Sequence, residues 1–361
     1  MTANADPPSG PSLRRLVPGG TPGTAGETPT LPKAHRARRP GWFWFLLGVT
    51  ILLVSPSALT AEPPPSAIIV TGAPGTDDYA ETFPKWVAHW RKACETGNVA
   101  AVFIGEEKAD QSDREQLRLA LESAARESHD PLWIVLLGHG TFNGQDAKFN
   151  LRGDDVSADD MAGWLKPFQR PIVFVGGFAT SGAWLNPLAG KDRILVAATR
   201  NGGENNYSRF GGYFSKSIAD PEADLDHDGQ TSALEAWQDA ARKTAEFYES
   251  EGRLATEHSL LDDNGDGIGT PADWFEGVRV VKKSKSGAAA DGIRAHQIHL
   301  IPSPGERQLP PETRAKRDDL EIKLAQLREK KANLRPDEYY AQLEAIMLEL
   351  ARLYRSAAPA P

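Results

Sequence analysis

Six consecutive residues, Leu132, Trp133, Ile134, Val135, Leu136 and Leu137, carry no polar side chain apart from the indole of Trp133. Side chains alternate between the two faces of a strand, so a run that is apolar at every position must be covered on both sides. That is the setting of a central strand in a parallel sheet flanked by helices. Shorter apolar runs occur at 67–71, 99–104, 172–175 and 194–198, and the stretches between them have helical spacing. Residues 77–96 place Phe83, Trp86, Val87 and Trp90 on one helical face, and 113–127 place Leu117, Leu121 and Ala124 likewise. Residues 157–165 open on Ser157, a good N-cap. The alternation predicts an α/β fold: a doubly wound, mostly parallel sheet with its function at the carboxyl ends of the strands.

The chain of 361 residues has a formal net charge of −8, unevenly spread. Residues 1–61 hold six Lys/Arg against two Asp/Glu, which leaves 35 basic against 47 acidic residues, −12, downstream. An acidic body argues against nucleic acid as a partner, because phosphate binding needs clustered Lys and Arg. The single cysteine, Cys94, rules out a disulfide within the chain and any Cys-based zinc site. Its place in the first helix reads as a half-buried packing residue.

The two ends differ from the body. Residues 1–40 are rich in Pro, Gly, Thr and Ser without apolar periodicity and read as a disordered leader. Arg36, Arg38 and Arg39 then precede a segment, 41–61, that carries no charge and ends in small residues. A basic flank, an apolar core and a small-residue end are the marks of a signal peptide or a single membrane anchor. Either reading exports residues 62–361 to the periplasmic side of the cell envelope, with the basic flank left inside. At the other end, 303–315 reads as a linker. Beyond it, 316–356 reads as a helical hairpin or coiled coil, with Leu320, Leu324, Leu327 and Leu334 on its first helix. Tyr340, Leu343, Met347, Leu350 and Tyr354 mark the second. Packing is the expected role, with self-association through 316–356 as a further expectation.

The strand at 132–137 runs into Gly138, His139 and Gly140, and the one at 172–175 into a turn that includes Ala179, Thr180, Ser181 and Gly182. Neighbouring parallel strands lie about 4.8 Å apart, so groups just past their carboxyl ends can meet, as a histidine base and a nucleophile require. An apolar strand ending in His-Gly, followed by one ending in a turn with Ser-Gly, resembles the caspase/legumain clan of cysteine peptidases, legumain type. The strand leading to Ala197, Ala198, Thr199 and Arg200, with Glu204 to Ser208 after it, is similar to that family's specificity region. The resemblance spans roughly 66–260 within a domain of 62–302. It implies that His139 stands at the catalytic histidine and Ala179 at the nucleophile. A methyl group cannot be deprotonated, so His139 becomes vestigial and the chain a pseudo-peptidase that binds a peptide or protein partner in the envelope. Two alternatives stay open: a hydrolase in which Thr180 or Ser181 acts near His139, and a structural protein of envelope assembly.

Residues 224–235 fit the EF-hand loop. Asp224, Asp226 and Asp228 stand at positions 1, 3 and 5, and Gly229 at 6. Gln230 offers its carbonyl at 7, Ser232 stands at 9, and Glu235 at 12 is able to bind through both oxygens. So many carboxylates packed closely repel one another without a cation, which makes calcium the expected cofactor. Pro221 cuts the entering helix, so the loop is mounted on the domain rather than part of a paired sensor. A poorer second loop, 262–273, offers Asp262, Asn264, Asp266 and the Ile268 carbonyl, with the shorter Asp273 at position 12 and Pro271 barring a normal exiting helix.

Overall fold

The computed structural model describes residues 64–282, 284 and 289–357. The leader 1–40 and the apolar segment 41–61 lie outside the described residues. Among those described, no helix is long and apolar enough to cross a membrane.

The strands are β1 (Ala67–Thr71), β2 (Ala101–Ile104), β3 (Leu132–Gly138), β4 (Gly140–Phe142), β5 (Ala147–Phe149), β6 (Val156–Ser157), β7 (Ile172–Phe178), β8 (Arg193–Ala197), β9 (Leu260–Asp262) and β10 (Thr270–Pro271). The helices are α1 (Asp77–Gly97), α2 (Asp113–Ser123), α3 (Ala158–Leu165), α4 (Leu185–Leu188), α5 (Phe210–Ser217), α6 (Ala233–Ser250), α7 (Ile293–His296), α8 (Pro304–Gln308), α9 (Pro311–Glu329) and α10 (Pro336–Ala357). The main sheet has seven strands in the order β10-β9-β8-β7-β3-β1-β2. Its five strands from β2 to β8 run parallel; β9 pairs antiparallel with β8, and β10 antiparallel with β9.

Both faces of this sheet are covered, as the unbroken apolar strands require. Ile69, Trp133, Val135, Val173 and Val175 pack under α1, α5 and α6 with Trp90, Phe214 and Trp237. Ile68, Ile134, Leu136 and Phe174 pack under α2, α3 and α4 with Leu117, Met161 and Leu188. Each such fully buried side chain stabilises the fold by about 2 kcal/mol. Chain order around the sheet reverses between β1 and β3, so the crevice at their carboxyl ends is the topological switch point. A small antiparallel sheet, β4-β5-β6, follows β3 directly.

Buried Arg170 closes the turn into β3 with no carboxylate partner among the described residues. Its Nε donates to the Asp130 carbonyl (2.9 Å), Nη2 to that of Pro131 (3.0 Å) and Nη1 to that of Ala125 (3.2 Å). The helix expected over 113–127 stops at Ser123, because Ala124 turns extended and the Arg126 carbonyl accepts from Gln169 N–H instead.

The C-terminal region differs from the expectation in two ways. The stretch 303–315 is mostly helix rather than linker: α8 and the start of α9 lie in it, tied by Arg317 Nη2 donating to Glu306 Oε1 at 2.9 Å. On α10 Tyr339 and Leu350 are buried and Leu343, Ile346 and Leu353 half-buried, which marks its inner side. Leu343 and Leu350 belong to the expected stripe, but Tyr340, Met347 and Tyr354 are exposed. Both registers are apolar in this helix, and packing on α9 selects one of them.

Candidate functional site

The paired register of β3 and β7 puts Gly138 opposite Phe178, so His139 and Ala179 leave the sheet side by side. Contact is direct at the next residue. A Cβ on Gly140 would stand 2.1 Å from the Ala179 carbonyl oxygen and 2.7 Å from Thr180 Oγ1, so only glycine lets the two strand ends close up. The expected meeting of the His-Gly strand end with the Ala179 turn is therefore present.

His139 is half-buried among rings, with Tyr79 at 4.6 Å between centroids, Phe83 at 5.3 Å and Tyr207 at 5.9 Å. Its Nε2 lies 3.1 Å from the carbonyl of Pro74, in the loop after β1. A carbonyl only accepts, so the proton sits on Nε2 and Nδ1 keeps its lone pair. Burial pulls the imidazole below its ordinary range, against the smaller upward pull of the Pro74 carbonyl, which keeps it neutral at pH 7.

The neighbouring hydroxyls are placed for structure. Ser181 is fully buried, and its Oγ accepts from Ala198 N–H at 2.9 Å, tying the turn to the end of β8. Thr199 Oγ1 accepts from Gly182 N–H at 3.0 Å in the same knot. Thr180 is fully buried in a left-handed conformation (φ 69°), with its Oγ1 unpaired and its N–H donated to the Glu204 carbonyl. That last bond joins the Ala179 turn to the segment after β8. There, Glu204 accepts from Arg200 N–H at 2.8 Å and pairs with His258 Nδ1 at 2.6 Å. Cys94 is buried in α1, its thiol pushed up to about 12 by burial.

The acidic loops lie elsewhere, one leading into α6 and the other between β9 and β10. Asp224, Asp226 and Asp228 bring one oxygen each within 4.8 Å of one another. Three hydrogen bonds recur position by position in the two loops. Gly229 N–H donates to Asp224 (3.0 Å) and Gly267 N–H to Asp262 (2.8 Å). Asp228 N–H donates to Asp226 (3.2 Å) and Asp266 N–H to Asn264 (2.8 Å). Gln230 N–H donates to Asp228 (3.0 Å) and Ile268 N–H to Asp266 (2.7 Å). Positive φ angles recur at position 4, His227 and Gly265, and at position 6, Gly229 and Gly267.

The loops part company at position 12. Glu235 is buried and acts as a clasp: Oε1 accepts from Leu225 N–H (2.8 Å) and Asp226 N–H (3.3 Å), and Oε2 from Ser232 N–H and Oγ. Asp273 does nothing comparable. It is turned to the surface and paired with Lys282 at 2.6 Å. Its expected place is taken by Asp291, which accepts from Asp263 N–H (2.9 Å), Asn264 N–H (3.0 Å) and Thr270 Oγ1 (2.6 Å). These donors are positions 2, 3 and 9 of the second loop, as they are for Glu235 in the first. Asp291 lies too far along the chain for a twelve-residue pattern to include it, so no sequence signal marked it. Burial, then the charge of Asp263, pushes Asp291 up to about 7, and burial also raises Asp262. No ion pair is formed by Asp262, Asp263 or Asp291 among the described residues, and Asp263 Oδ1 is buried without a hydrogen-bond partner.

The first loop's converging carboxylate oxygens at positions 1, 3 and 5 are of the type a hard divalent cation takes, and the second loop carries the same oxygen-bearing residue types at those positions. His296 Nε2 also lies 2.9 Å from Asp226 Oδ2, beside the first loop.

No protein-family model and no curated protein matches this chain. Among solved structures, the chain is similar to the Drosophila initiator caspase Dronc at 17% identity, with a TM-score of 0.33, covering 57% of this chain and 80% of that one.

Proposed function

We propose that this chain is an exported caspase/legumain-like domain that binds peptide without cleaving it and is held together by calcium. The observation that carries the reading is Ala179, whose turn lies against Gly140 directly after His139 and offers no thiol. Ser181 is engaged with Ala198 N–H, and Thr180 is closed off from solvent, so neither favours the alternative of a hydroxyl nucleophile. What remains at the strand ends is a neutral imidazole beside the rings of Tyr79 and Tyr207, with the polar segment from Asn201 to Asn206 following β8. Such a surface suits an extended peptide held by hydrogen bonds and ring contacts.

Calcium in this reading is structural. Asp224, Asp226 and Asp228 with the Gln230 carbonyl would hold it in the first loop, and Asp262, Asn264, Asp266 and the Ile268 carbonyl in the second. Glu235 and Asp291 clasp the loops, and each must exchange a hydrogen bond to become a ligand. Neutralising the buried carboxylates is the service the ion supplies.

Four outcomes are expected. The purified chain should hydrolyse none of a broad panel of peptides above background; hydrolysis that disappears with His139→Ala would overturn the pseudo-peptidase reading. Ala179→Cys should alkylate with iodoacetamide far faster than native Cys94, through thiolate formation beside the imidazole, and His139→Ala should remove that gain. A rate no higher than that of Cys94 would mean the two strand ends are not arranged as a dyad. A reporter fused after Pro302 should be active only outside the cytoplasm, and cytoplasmic activity alone would sink the export proposal.

For calcium, thermal melts should shift upward relative to excess chelator, by roughly 2.7 kcal/mol when calcium stands a hundredfold above its dissociation constant. Asp224→Ala with Asp228→Ala should remove the larger part of the shift and Asp291→Asn a further part, while Asp273→Ala should leave it intact. A carboxyl group with a pKa near 7 must lose its proton to face a cation, so binding at the second loop should release protons and weaken as pH falls below 7. Equal melting temperatures in calcium and chelator, with no binding heat by calorimetry, are the contrary result.

A further inference from the structure

Four of the nine large apolar side chains left exposed among the described residues sit on one helix: Tyr340, Met347, Leu348 and Tyr354 of α10, each between 47% and 58% exposed. The adjoining side of α10 is already used, through Tyr339, Leu343, Ile346 and Leu350 in the hairpin with α9, and Tyr354 at the border hydrogen-bonds to Arg317 of α9. Tyr340, Met347 and Tyr354 recur every seven residues, so they drift by only about 20° per step and form a stripe about 21 Å long. Ala351 falls on the same stripe, and Leu348 flanks it.

The stripe reads the same in both directions about Met347, with Tyr340 seven residues before it and Tyr354 seven after. Its charges do not. Asp337 and Glu344 flank it towards the amino end, and Arg352 and Arg355 lie at the carboxyl end. An antiparallel second copy, related by a two-fold axis through Met347, would set tyrosine against methionine-flanked tyrosine and each acidic end against the other's basic end. Asp337 now pairs with Arg335 at 2.8 Å on the open surface, an arrangement of little energetic weight that Arg355 of a second copy can replace. A parallel copy would place like charges together.

We propose that the exposed face of α10 is the contact between two copies of this chain, packed antiparallel across Met347 so that the two hairpins form a four-helix layer. This goes beyond the peptide-binding and calcium readings and does not depend on either.

The full chain allows a disulfide test, because its one native thiol, Cys94, is 2% exposed and buried in α1. On mild oxidation Met347→Cys should run as a covalent dimer at twice 39.2 kDa. Tyr340→Cys alone should stay monomeric on the same gel, and Tyr340→Cys combined with Tyr354→Cys should link. In sedimentation, Met347→Lys should lose the dimer without a change in melting temperature. Arg355→Glu should weaken it, and Asp337→Arg added to Arg355→Glu should restore it. Linking of Tyr340→Cys as readily as Met347→Cys would mean a parallel or nonspecific contact and would overturn the proposal. A Met347→Cys chain that remains monomeric, or an unmutated chain that sediments as a monomer at every concentration tested, would overturn it as well.

Discussion

The pairing of β3 with β7, buried on both faces, is the constraint from which the rest of the domain follows. Seven residues of each strand are enclosed, so all polar function has to leave the sheet at the strand ends. The enclosure also demands close backbone approach on one side. A Cβ on Gly177 would stand 2.9 Å from the Cα of Gly211 in α5, so helix and strand touch there without side chains between them. The same closeness, continued past the sheet, presses Gly140 against the Ala179 turn. The meeting of His139 with the Ala179 turn is thus a by-product of how tightly the two central strands are held.

At these strand ends, chemistry and scaffolding are separate. His139 keeps the features a base would need: one tautomer held by the Pro74 carbonyl, a neutral ring at pH 7 and a free lone pair on Nδ1. The turn across from it offers a methyl group; the Ser181 and Thr199 hydroxyls fasten the turn to the end of β8, and the Thr180 N–H ties it to the Glu204 carbonyl. The strained φ of Thr180 is held in place by the packing around it rather than by any bond to its hydroxyl.

The acidic loops reveal a second economy of design. Each carries the same set of backbone turns, and each needs one carboxylate to gather the N–H groups of its early positions and the hydroxyl of its ninth. The first loop recruits Glu235 from the helix it opens. The second has no such helix, since β10 and Pro271 follow at once, and it draws Asp291 from the segment before α7. Burial of Asp262, Asp263 and Asp291 without a carboxylate-pairing cation among the described residues is costly, and it pushes Asp262 and Asp291 above the ordinary carboxylate range.

The sequence by itself determined the α/β order, the double coverage of the central strands and the adjacency of His139 and Ala179, because period-two and period-3.6 patterns fix local structure and parallel pairing fixes where strand ends meet. It also marked the first loop, whose side chains that converge lie within twelve residues. Tertiary structure alone decided the rest. It chose Tyr339, Ile346 and Leu353 over Tyr340, Met347 and Tyr354 for the inner side of α10, where both stripes are apolar and only the position of α9 separates them. It turned Asp273 out to Lys282 and brought in Asp291 from another part of the chain. It filled the expected linker with helix, and it spent Ser181 on a bond to β8. Each of these depends on which distant groups are brought within hydrogen-bond or van der Waals reach, a quantity that no local pattern contains.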